Sequence, residues 1–288
     1  MSLILDGKIA AQAVKDALKS DLEKIKGAVP SGGGLKPGLA VVLVGDNPAS
    51  IVYVGMKKKA CEALGYYSRE IKLPKETSLD QLLQVVAGLN ADSQIHGILV
   101  QLPLPPHLDA DRVINALDPR KDVDGLHPAN LGKLLAGEKG LRPCTPLGVM
   151  VLLNHFKIPL AGKRAVVIGR SNLVGKPVGL LLLEANASVT FCHSKTSDLT
   201  EVVREAEIVV AAIGKPLFVK AEMIRPGAVV VDVGTSKGSD GKLLGDVDYG
   251  PVSKVASAIS PVPGGVGPMT IALLLKNTFQ AFREQTGF

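Results

Sequence analysis

Tyr53 and Lys57 stand four positions apart in a stretch of helical pattern, and their side chains are candidates for proton transfer. Side chains at this spacing lie on one face of a helix. A phenol beside an amine can relay protons, and a lysine withdrawn from water has a lowered pKa suited to acid–base work. The alternative is a solvated helix face, since Lys57 opens the run Lys57-Lys58-Lys59.

Further polar residues of the first half stand where sites commonly form. Gln101 comes at the carboxyl end of an apolar run that reads as a buried strand, and open α/β sheets carry their sites at that end of their strands. Asp122 and Asp124 place two carboxylates near a turn. These residues are therefore candidates for contact with a polar ligand.

A proline- and glycine-rich segment, residues 261–268, precedes the last helical stretch of the chain. Its centre is Pro263-Gly264-Gly265, a stiff backbone with little side chain that can come close to a flat ligand. A plain linker is the alternative, but the stiffness of the segment favours binding.

In the second half, an apolar run leads into a turn that begins at Gly169 and a helix that begins near Gly175. A strand, a glycine turn and a helix N-terminus together offer free N–H groups and a positive dipole end to a pyrophosphate. The pattern departs from G-x-G-x-x-G, because Ser171 replaces the second glycine and Gly175 comes one residue late. A tight turn that binds nothing is the alternative.

The next predicted strand ends in His193-Ser194-Lys195 and carries no carboxylate. Sites for NAD place Asp or Glu about 20 residues after the glycine turn, where it holds the ribose 2′-hydroxyl. Here Arg170, Ser194 and one of His193 or Lys195 could instead bind a 2′-phosphate, so the charges favour NADP. A surface histidine and a solvated lysine are the alternatives for His193 and Lys195.

Apolar runs and helical stretches alternate along almost the whole chain, which is typical of parallel sheets covered by helices. In the first half the predicted strands are residues 39–44, 70–73 and 95–102, and the predicted helices are residues 50–64, 79–89 and 109–117. In the second half the predicted strands are residues 165–168, 189–192, 208–213 and 229–233, followed by a last helix over residues 269–283. The predicted fold class is α/β.

The ends of two helices and the domain boundary are also predicted. Ser50 and Ser78 stand as N-caps, and Gly65 ends the first of these helices. Prolines within residues 142–146 interrupt the pattern, which predicts an N-terminal α/β catalytic domain over residues 1–142, joined by the C-terminal helix at about 268–288. Residues 143–267 are predicted to form a Rossmann-like parallel-sheet domain that binds NADP.

The composition excludes several other classes of protein. No apolar run is long enough to span a membrane, and the N-terminus lacks a signal peptide pattern. Three widely spaced cysteines indicate a reducing compartment, the cytoplasm. The net charge of +6 is spread along the chain, and aromatic residues make up only 3 %, so nucleic acid is disfavoured as a partner.

Metal and phosphate-loop motifs are missing from the sequence as well. The five histidines show no ligand spacing and the cysteines make no C-x-x-C, so no metal site is predicted. Gly32-Gly33-Gly34 lacks the Gly-Lys-Ser/Thr ending of a phosphate-binding loop, and we interpret it as a flexible surface loop.

Six segments taken together resemble the bifunctional methylenetetrahydrofolate dehydrogenase/cyclohydrolase family. They occur in the family's order and spacing, at residues 48–61, 100–103, 121–125, 143–146, 169–177 and 261–270. The resemblance implies NADP-dependent oxidation of 5,10-methylenetetrahydrofolate and hydrolysis of the methenyl product to 10-formyltetrahydrofolate, in one-carbon metabolism and purine biosynthesis. It also implies a homodimer with the folate in a cleft between the two domains.

The same resemblance implies roles for individual residues. Lys57 corresponds to the catalytic lysine that moves protons with the hydrolytic water, and Tyr53 to the tyrosine that packs on the folate. Gln101 holds the lysine, and Asp124 grips the amino edge of the pterin. The segment that lines the folate pocket corresponds to Pro263, Gly264 and Gly265. The implied cofactor-binding residues are Gly169, Arg170, Ser171, Gly175, Ser194, Ile213, Gly214 and Thr235.

Two positions near the expected nicotinamide depart from the family pattern. Thr235-Ser236 stands where Ile-Asn is common, and Ile213 where a small hydroxyl residue is frequent. The alternatives are a cyclohydrolase with little dehydrogenase activity and a non-catalytic NADP-binding regulatory protein. A shikimate-type NADP dehydrogenase is a further rival, but it would not need Tyr53 and Lys57 together with Asp124.

Overall fold

The computed structural model describes residues 2–28, 35–238 and 241–288. The predicted loop Gly32-Gly33-Gly34 lies outside these residues. The strands are β1 (Leu3–Ile4), β2 (Gly38–Val44), β3 (Tyr67–Leu73), β4 (Gly97–Val100), β5 (Arg164–Ile168), β6 (Ser188–Cys192), β7 (Ile208–Ala211), β8 (Val229–Asp232), β9 (Ser236–Lys237), β10 (Leu243–Leu244) and β11 (Ala258–Ile259).

The α-helices alternate with these strands along most of the chain, which confirms the α/β class. They are α1 (Gly7–Ala28), α2 (Pro48–Leu64), α3 (Leu79–Ala91), α4 (Ala110–Asn115), α5 (Pro128–Leu135), α6 (Cys144–His155), α7 (Gly175–Glu184), α8 (Leu199–Arg204), α9 (Tyr249–Val252) and α10 (Val266–Thr286). Within the described residues, no helix combines the length and the apolar character needed to cross a membrane.

The chain divides into two compact units. The three-strand unit comprises Ala13–Cys144 with Ile271–Phe288, and the six-strand unit comprises Met1–Gln12 with Thr145–Thr270. Long helices link them in sequence, since α1 and α10 each contain residues of both units.

The sheet of the three-strand unit has the order β3-β2-β4, and its strands are parallel. The central strand β2 is buried along its whole length, as its continuous apolar run predicts. Edge strand β3 begins earlier than predicted. Its first residues alternate between exposed and half-buried and form no apolar run, so no sequence pattern marks them as a strand. Strand β4 is shorter than predicted, since its pairing with β2 covers only Gly97 to Val100.

The start of α2 corrects one prediction, because Ser50 is not its N-cap. Asn47 holds that position, and its Oδ1 accepts hydrogen bonds from the N–H groups of Ala49 (3.0 Å) and Ser50 (3.2 Å). Pro48 follows in the first turn, where its missing N–H costs nothing. The predicted stop at Gly65 is confirmed, with a left-handed φ of 71°.

The six-strand sheet is parallel throughout and has the order β1-β11-β8-β7-β5-β6. Strands β5 to β8 match the predicted strands, although β7 and β8 end slightly earlier than their apolar runs. The two-residue strands β1 and β11 were not predicted, because so short a segment has no periodicity. The helices α1, α5, α6 and α9 were also not predicted.

Candidate functional site

Helix α2 presents one buried stripe, and Lys57 lies on it with Ser50, Val54 and Cys61. The Lys57 residue is only 7 % exposed, whereas the next lysine, Lys58, is exposed. The run of three lysines is therefore not a single solvated face. Tyr53 is half-buried one turn before Lys57 on the same helix.

The end of strand β4 supplies the partner of this lysine. Lys57 Nζ donates a hydrogen bond of 2.8 Å to Gln101 Oε1. The amide of Gln101 is itself oriented, because its Nε2 donates to the carbonyl of Leu102 at 2.6 Å. The backbone N–H of Gln101 bonds to Val42 O of the neighbouring strand (2.8 Å), which anchors the residue to the sheet.

The two carboxylates of the 122–124 segment have different surroundings. A parallel bridge between Ile98 and Asp122 extends the sheet, so the chain brings Asp124 to the same edge as Gln101. Asp122 is buried, and its Oδ2 accepts from His127 N (2.7 Å) and Asn130 Nδ2 (2.9 Å). Its carboxylate is thus used in holding the start of α5, whereas Asp124 is half-buried and interacts electrostatically with Lys57.

Burial shifts the proton affinities of this cluster. Withdrawal from water lowers the pKa of Lys57, and the nearby Asp124 carboxylate partly offsets that shift. Burial raises the pKa of Asp124, and the Lys57 ammonium opposes this rise. A lysine with a lowered pKa can exchange protons with water near neutral pH, which an ordinary surface lysine does poorly.

Two residues that the sequence analysis did not identify hold the Asp124 segment in place. Asn277 of α10 is buried, and its Nδ2 donates to Val123 O (2.9 Å) and Arg142 O (2.8 Å). Cys144 donates from Sγ to the same Val123 carbonyl at 3.1 Å. Asn277 lies 154 positions from Val123, so no local pattern could have indicated the contact.

In the six-strand unit, the turn after β5 needs glycine at two positions. Gly169 has a φ of +134°, and a Cβ there would lie 2.2 Å from Ala212 O. A Cβ on Gly175 would lie 2.5 Å from Gly169 O, so α7 packs directly on the turn. Ser171 Oγ accepts from the N–H groups of Val174 (3.2 Å) and Gly175 (3.4 Å), and so helps to form the turn itself.

Arg170 and Ser194 follow neighbouring strands, since Ile168 pairs in register with Cys192. Both residues are exposed at the carboxyl edge of the sheet. The carboxyl edge of the six-strand sheet thus carries the glycine turn at Gly169, the N-terminus of α7 and the cation Arg170, with no carboxylate at the end of β6. These features fit a dinucleotide that carries a 2′-phosphate.

The remaining predicted cofactor residues follow β7 and β8, which pair in register at Ala211 and Asp232. Ile213 and Gly214 form the loop after β7, and Thr235 is exposed in the loop after β8. Asp246, which the sequence analysis also missed, accepts hydrogen bonds from the backbone N–H groups of Ile213 and Gly214.

The Pro263-Gly264-Gly265 loop is held by the start of α1. Gly7 N donates to Gly264 O at 2.9 Å, and a Cβ on Gly7 would lie 1.6 Å from Gly265 O. Gly265 N in turn donates to Pro261 O at 2.8 Å. The loop therefore has a defined backbone conformation. Across the described part of the chain, no group of three or more His, Cys, Asp or Glu residues is arranged to hold a metal ion.

Two family models match the chain. The model of the tetrahydrofolate dehydrogenase/cyclohydrolase catalytic domain matches residues 5–124, and that of the NAD(P)-binding domain matches residues 143–286. A curated relative, "Bifunctional protein FolD" of Burkholderia thailandensis, is 56 % identical over 273 residues, which is 95 % of each chain.

Solved structures give the same picture. The bifunctional enzyme FolD from Campylobacter jejuni has a TM-score of 0.94 at 46 % identity and covers 99 % of both chains. The Trypanosoma brucei dehydrogenase-cyclohydrolase, complexed with NADP cofactor and inhibitor, has a TM-score of 0.92 at 38 % identity over 98 % of both. A Thermus thermophilus shikimate dehydrogenase shares the fold alone, with a TM-score of 0.55 and 20 % identity over 87 % of this chain and 94 % of that one.

Proposed function

This chain belongs to the tetrahydrofolate dehydrogenase/cyclohydrolase family, and from that premise we propose how its residues perform the two reactions. The protein is a bifunctional enzyme of one-carbon metabolism that oxidises 5,10-methylenetetrahydrofolate with NADP and hydrolyses the methenyl product to 10-formyltetrahydrofolate. The observation that best supports our residue assignment is the buried Lys57, bonded at 2.8 Å to an oriented Gln101.

The dehydrogenase step depends mainly on orientation. NADP, when bound, accepts a hydride from the methylene carbon of the folate. Gly169 and the N-terminus of α7 would hold the pyrophosphate, and Arg170 with Ser194 the 2′-phosphate. Ile213, Gly214 and Thr235 would then contact the other half of the cofactor. We assign these contacts to the domain predicted over residues 143–267.

In the hydrolytic step, Lys57 moves the protons. Its neutral amine takes a proton from water as the water oxygen bonds to the methenyl carbon, and it returns that proton to folate N5 as the C–N5 bond breaks. The remaining hydroxyl proton passes to solvent as the formyl C=O bond forms. Gln101 keeps the amine directed at this carbon, while Tyr53 packs on the folate and Asp124 binds the amino edge of the pterin. Pro263, Gly264 and Gly265 complete the folate contacts.

The first test is spectrophotometric and uses both reactions. Purified protein mixed with 5,10-methylenetetrahydrofolate should reduce NADP much faster than NAD. Lys57→Met should lower hydrolysis of methenyltetrahydrofolate by a factor of about 100 or more, which is the contribution of a positioned proton-transfer group. Its affinity for NADP should not change.

Lys58→Met is the matched control, because Lys58 is the exposed neighbour of Lys57. This variant should hydrolyse methenyltetrahydrofolate at the wild-type rate. Wild-type hydrolysis by Lys57→Met would overturn the role of the lysine. Hydrolysis without NADP reduction would favour the cyclohydrolase with little dehydrogenase activity. If neither reaction occurs but NADP binds, the protein is a non-catalytic binder.

We further propose a cytoplasmic homodimer that supports purine biosynthesis and binds no nucleic acid. Strand β3 lies at the edge of its sheet, where a strand of a second copy could pair. Cys61, Cys144 and Cys192 are all free and buried, as suits a reducing compartment. Sedimentation at several protein concentrations tests the dimer, and a monomer throughout would contradict it.

A further inference from the structure

The order of the strands assigns the two halves of the cofactor to different strand ends. Strands β6 and β7 lie on opposite sides of β5, so the chain reverses direction across the sheet at β5, where such folds bind dinucleotides. With the 2′-phosphate at the end of β6, the nicotinamide half must lie at the ends of β7 and β8. This step rests on the proposed function.

Asp246 is a completely buried carboxylate at these strand ends. Its Oδ2 accepts two backbone hydrogen bonds from the loop after β7, from Ile213 N at 2.7 Å and Gly214 N at 3.0 Å. The conformation of this loop therefore depends on one side chain from a distant part of the sequence.

Asp246 also contacts the loop after β8. A Cβ on Gly234 would lie 2.3 Å from Asp246 Oδ1, so the carboxylate occupies the space that a side chain would need there. The loops that contain Ile213 and Thr235 are thus packed against the same carboxyl group.

A second buried carboxylate, Asp232, holds Asp246 in place. Its Oδ1 accepts from Asp246 N (2.9 Å) and Gly234 N (2.9 Å), and its Oδ2 accepts from Val247 N (2.9 Å). The carbonyl of Asp246 accepts from Val219 N at 2.9 Å. The backbone of Asp246 is thus held by Asp232 and Val219, while its side chain bonds to the loop after β7. Asp246 can therefore fix the position of that loop relative to the sheet.

We propose that Asp246 is a positioning residue for the nicotinamide half of NADP, acting through the backbone of Ile213 and Gly214. Its side-chain hydrogen bonds go to the loop after β7, at the strand ends assigned to the nicotinamide half. Its loss should therefore weaken binding of the complete cofactor without weakening binding of the adenosine half.

The test compares Asp246→Ala and Asp246→Asn with the wild-type enzyme. In Asp246→Ala the KM for NADP should rise about tenfold or more, because the two hydrogen bonds that hold the loop after β7 are lost. Asp246→Asn keeps a neutral acceptor oxygen and should lie between the two. The inhibition constant of adenosine 2′,5′-bisphosphate, which lacks the nicotinamide, should stay at the wild-type value in both variants.

Two controls separate positioning from general damage. Asp248 lies two residues after Asp246 and forms an ion pair with Lys220 (2.9 Å). Asp248→Asn removes this ion pair and should leave the KM for NADP unchanged. The far-ultraviolet circular dichroism and the thermal unfolding of each variant report whether it is folded. Should Asp246→Ala fail to fold, Asp246→Asn alone must still show a raised KM with unchanged inhibition by the bisphosphate.

The outcomes distinguish this inference from the proposed function. An unchanged KM for NADP in both Asp246 variants would overturn the inference, as would an equal rise in the inhibition constant of the bisphosphate. A wild-type enzyme that reduces no NADP would overturn the dehydrogenase function itself, which is a separate result.

Discussion

At the residue scale, the chemistry proposed for Lys57 depends on which face of α2 is buried. Lys57 and Lys58 are adjacent and identical in type, yet only Lys57 lies among buried residues and bonds to Gln101. Desolvation lowers the pKa of its amine, so the base form becomes available without help from a metal ion. Sequence spacing indicated that Tyr53 and Lys57 share a face, but not which face was buried.

The pH dependence of hydrolysis provides a prediction at this scale. If the neutral amine of Lys57 is the base, the rate should fall as pH decreases through its lowered pKa. The Asp124 carboxylate raises the pKa of this amine, so Asp124→Asn should lower it further and move the fall in rate to lower pH. The measurement is kcat at saturating folate across pH, for the variant and the wild type.

Saturation is needed in this experiment because loss of Asp124 should also raise the KM for the folate. Asp124→Glu keeps the negative charge and serves as the control, with its inflection expected near that of the wild type. An inflection that moves to higher pH in Asp124→Asn would contradict the assignment of Lys57 as the base.

At the scale of single elements, the placement of Lys57 depends on where α2 begins. Asn47 bonds to the N–H groups of Ala49 and Ser50, and Pro48 sets the first turn. Ser50 is the cap that the sequence pattern favours, because serine is a strong N-cap residue and Ser50 precedes an apolar stretch. Asn47 is equally suitable and comes directly before a proline, which is a common first helical residue.

Asn47→Ala should therefore lower the free energy of unfolding by about 1 kcal/mol, the usual cost of losing an N-cap. Urea unfolding of the two proteins measures the difference. Asp46→Ala, which changes the exposed residue before the cap, should have little effect. Equal stability of Asn47→Ala and the wild type would mean that the cap bonds contribute nothing measurable to α2.

At the scale of the whole molecule, the N-terminal residues belong to the sheet of the second half. Strand β1 pairs with β11, with Leu3 opposite Ala258 and Ile4 opposite Ile259. Leu5 follows immediately and is fully buried. The six-strand unit thus includes residues from near the beginning of the sequence, although the glycine turn that marks it begins only at Gly169.

Leu5→Ala should destabilise the six-strand unit by about 2–5 kcal/mol, the range for removing a buried leucine side chain. NADP reduction should consequently be lost at a lower temperature than in the wild type, as measured by residual activity after heating. Leu3→Ala is the control, because Leu3 is 46 % exposed and pairs through its backbone. Similar heat inactivation of Leu5→Ala and Leu3→Ala would contradict the role of Leu5.

Local sequence patterns predict the features of this fold that depend on neighbouring residues. The α/β class, the buried strand β2, the stop at Gly65 and the turn at Gly169 all follow from short patterns, because strand and helix periodicity and glycine conformation act locally. The roles given to the site residues remain predictions, although family membership agrees with the reactions they would serve.

Which polar side chains are buried, and which groups they bond to, becomes apparent only in the folded chain. Asn277 reaches Val123 across 154 positions, and Asp246 reaches Ile213 across 33. The folded chain also distinguishes the two carboxylates of the 122–124 segment, because Asp122 accepts hydrogen bonds from His127 N and Asn130 Nδ2, whereas Asp124 remains a candidate for ligand contact. The physical reason is that burial and hydrogen bonding depend on which distant segments come into contact in the folded chain. Local patterns in a single sequence do not indicate these long-range contacts.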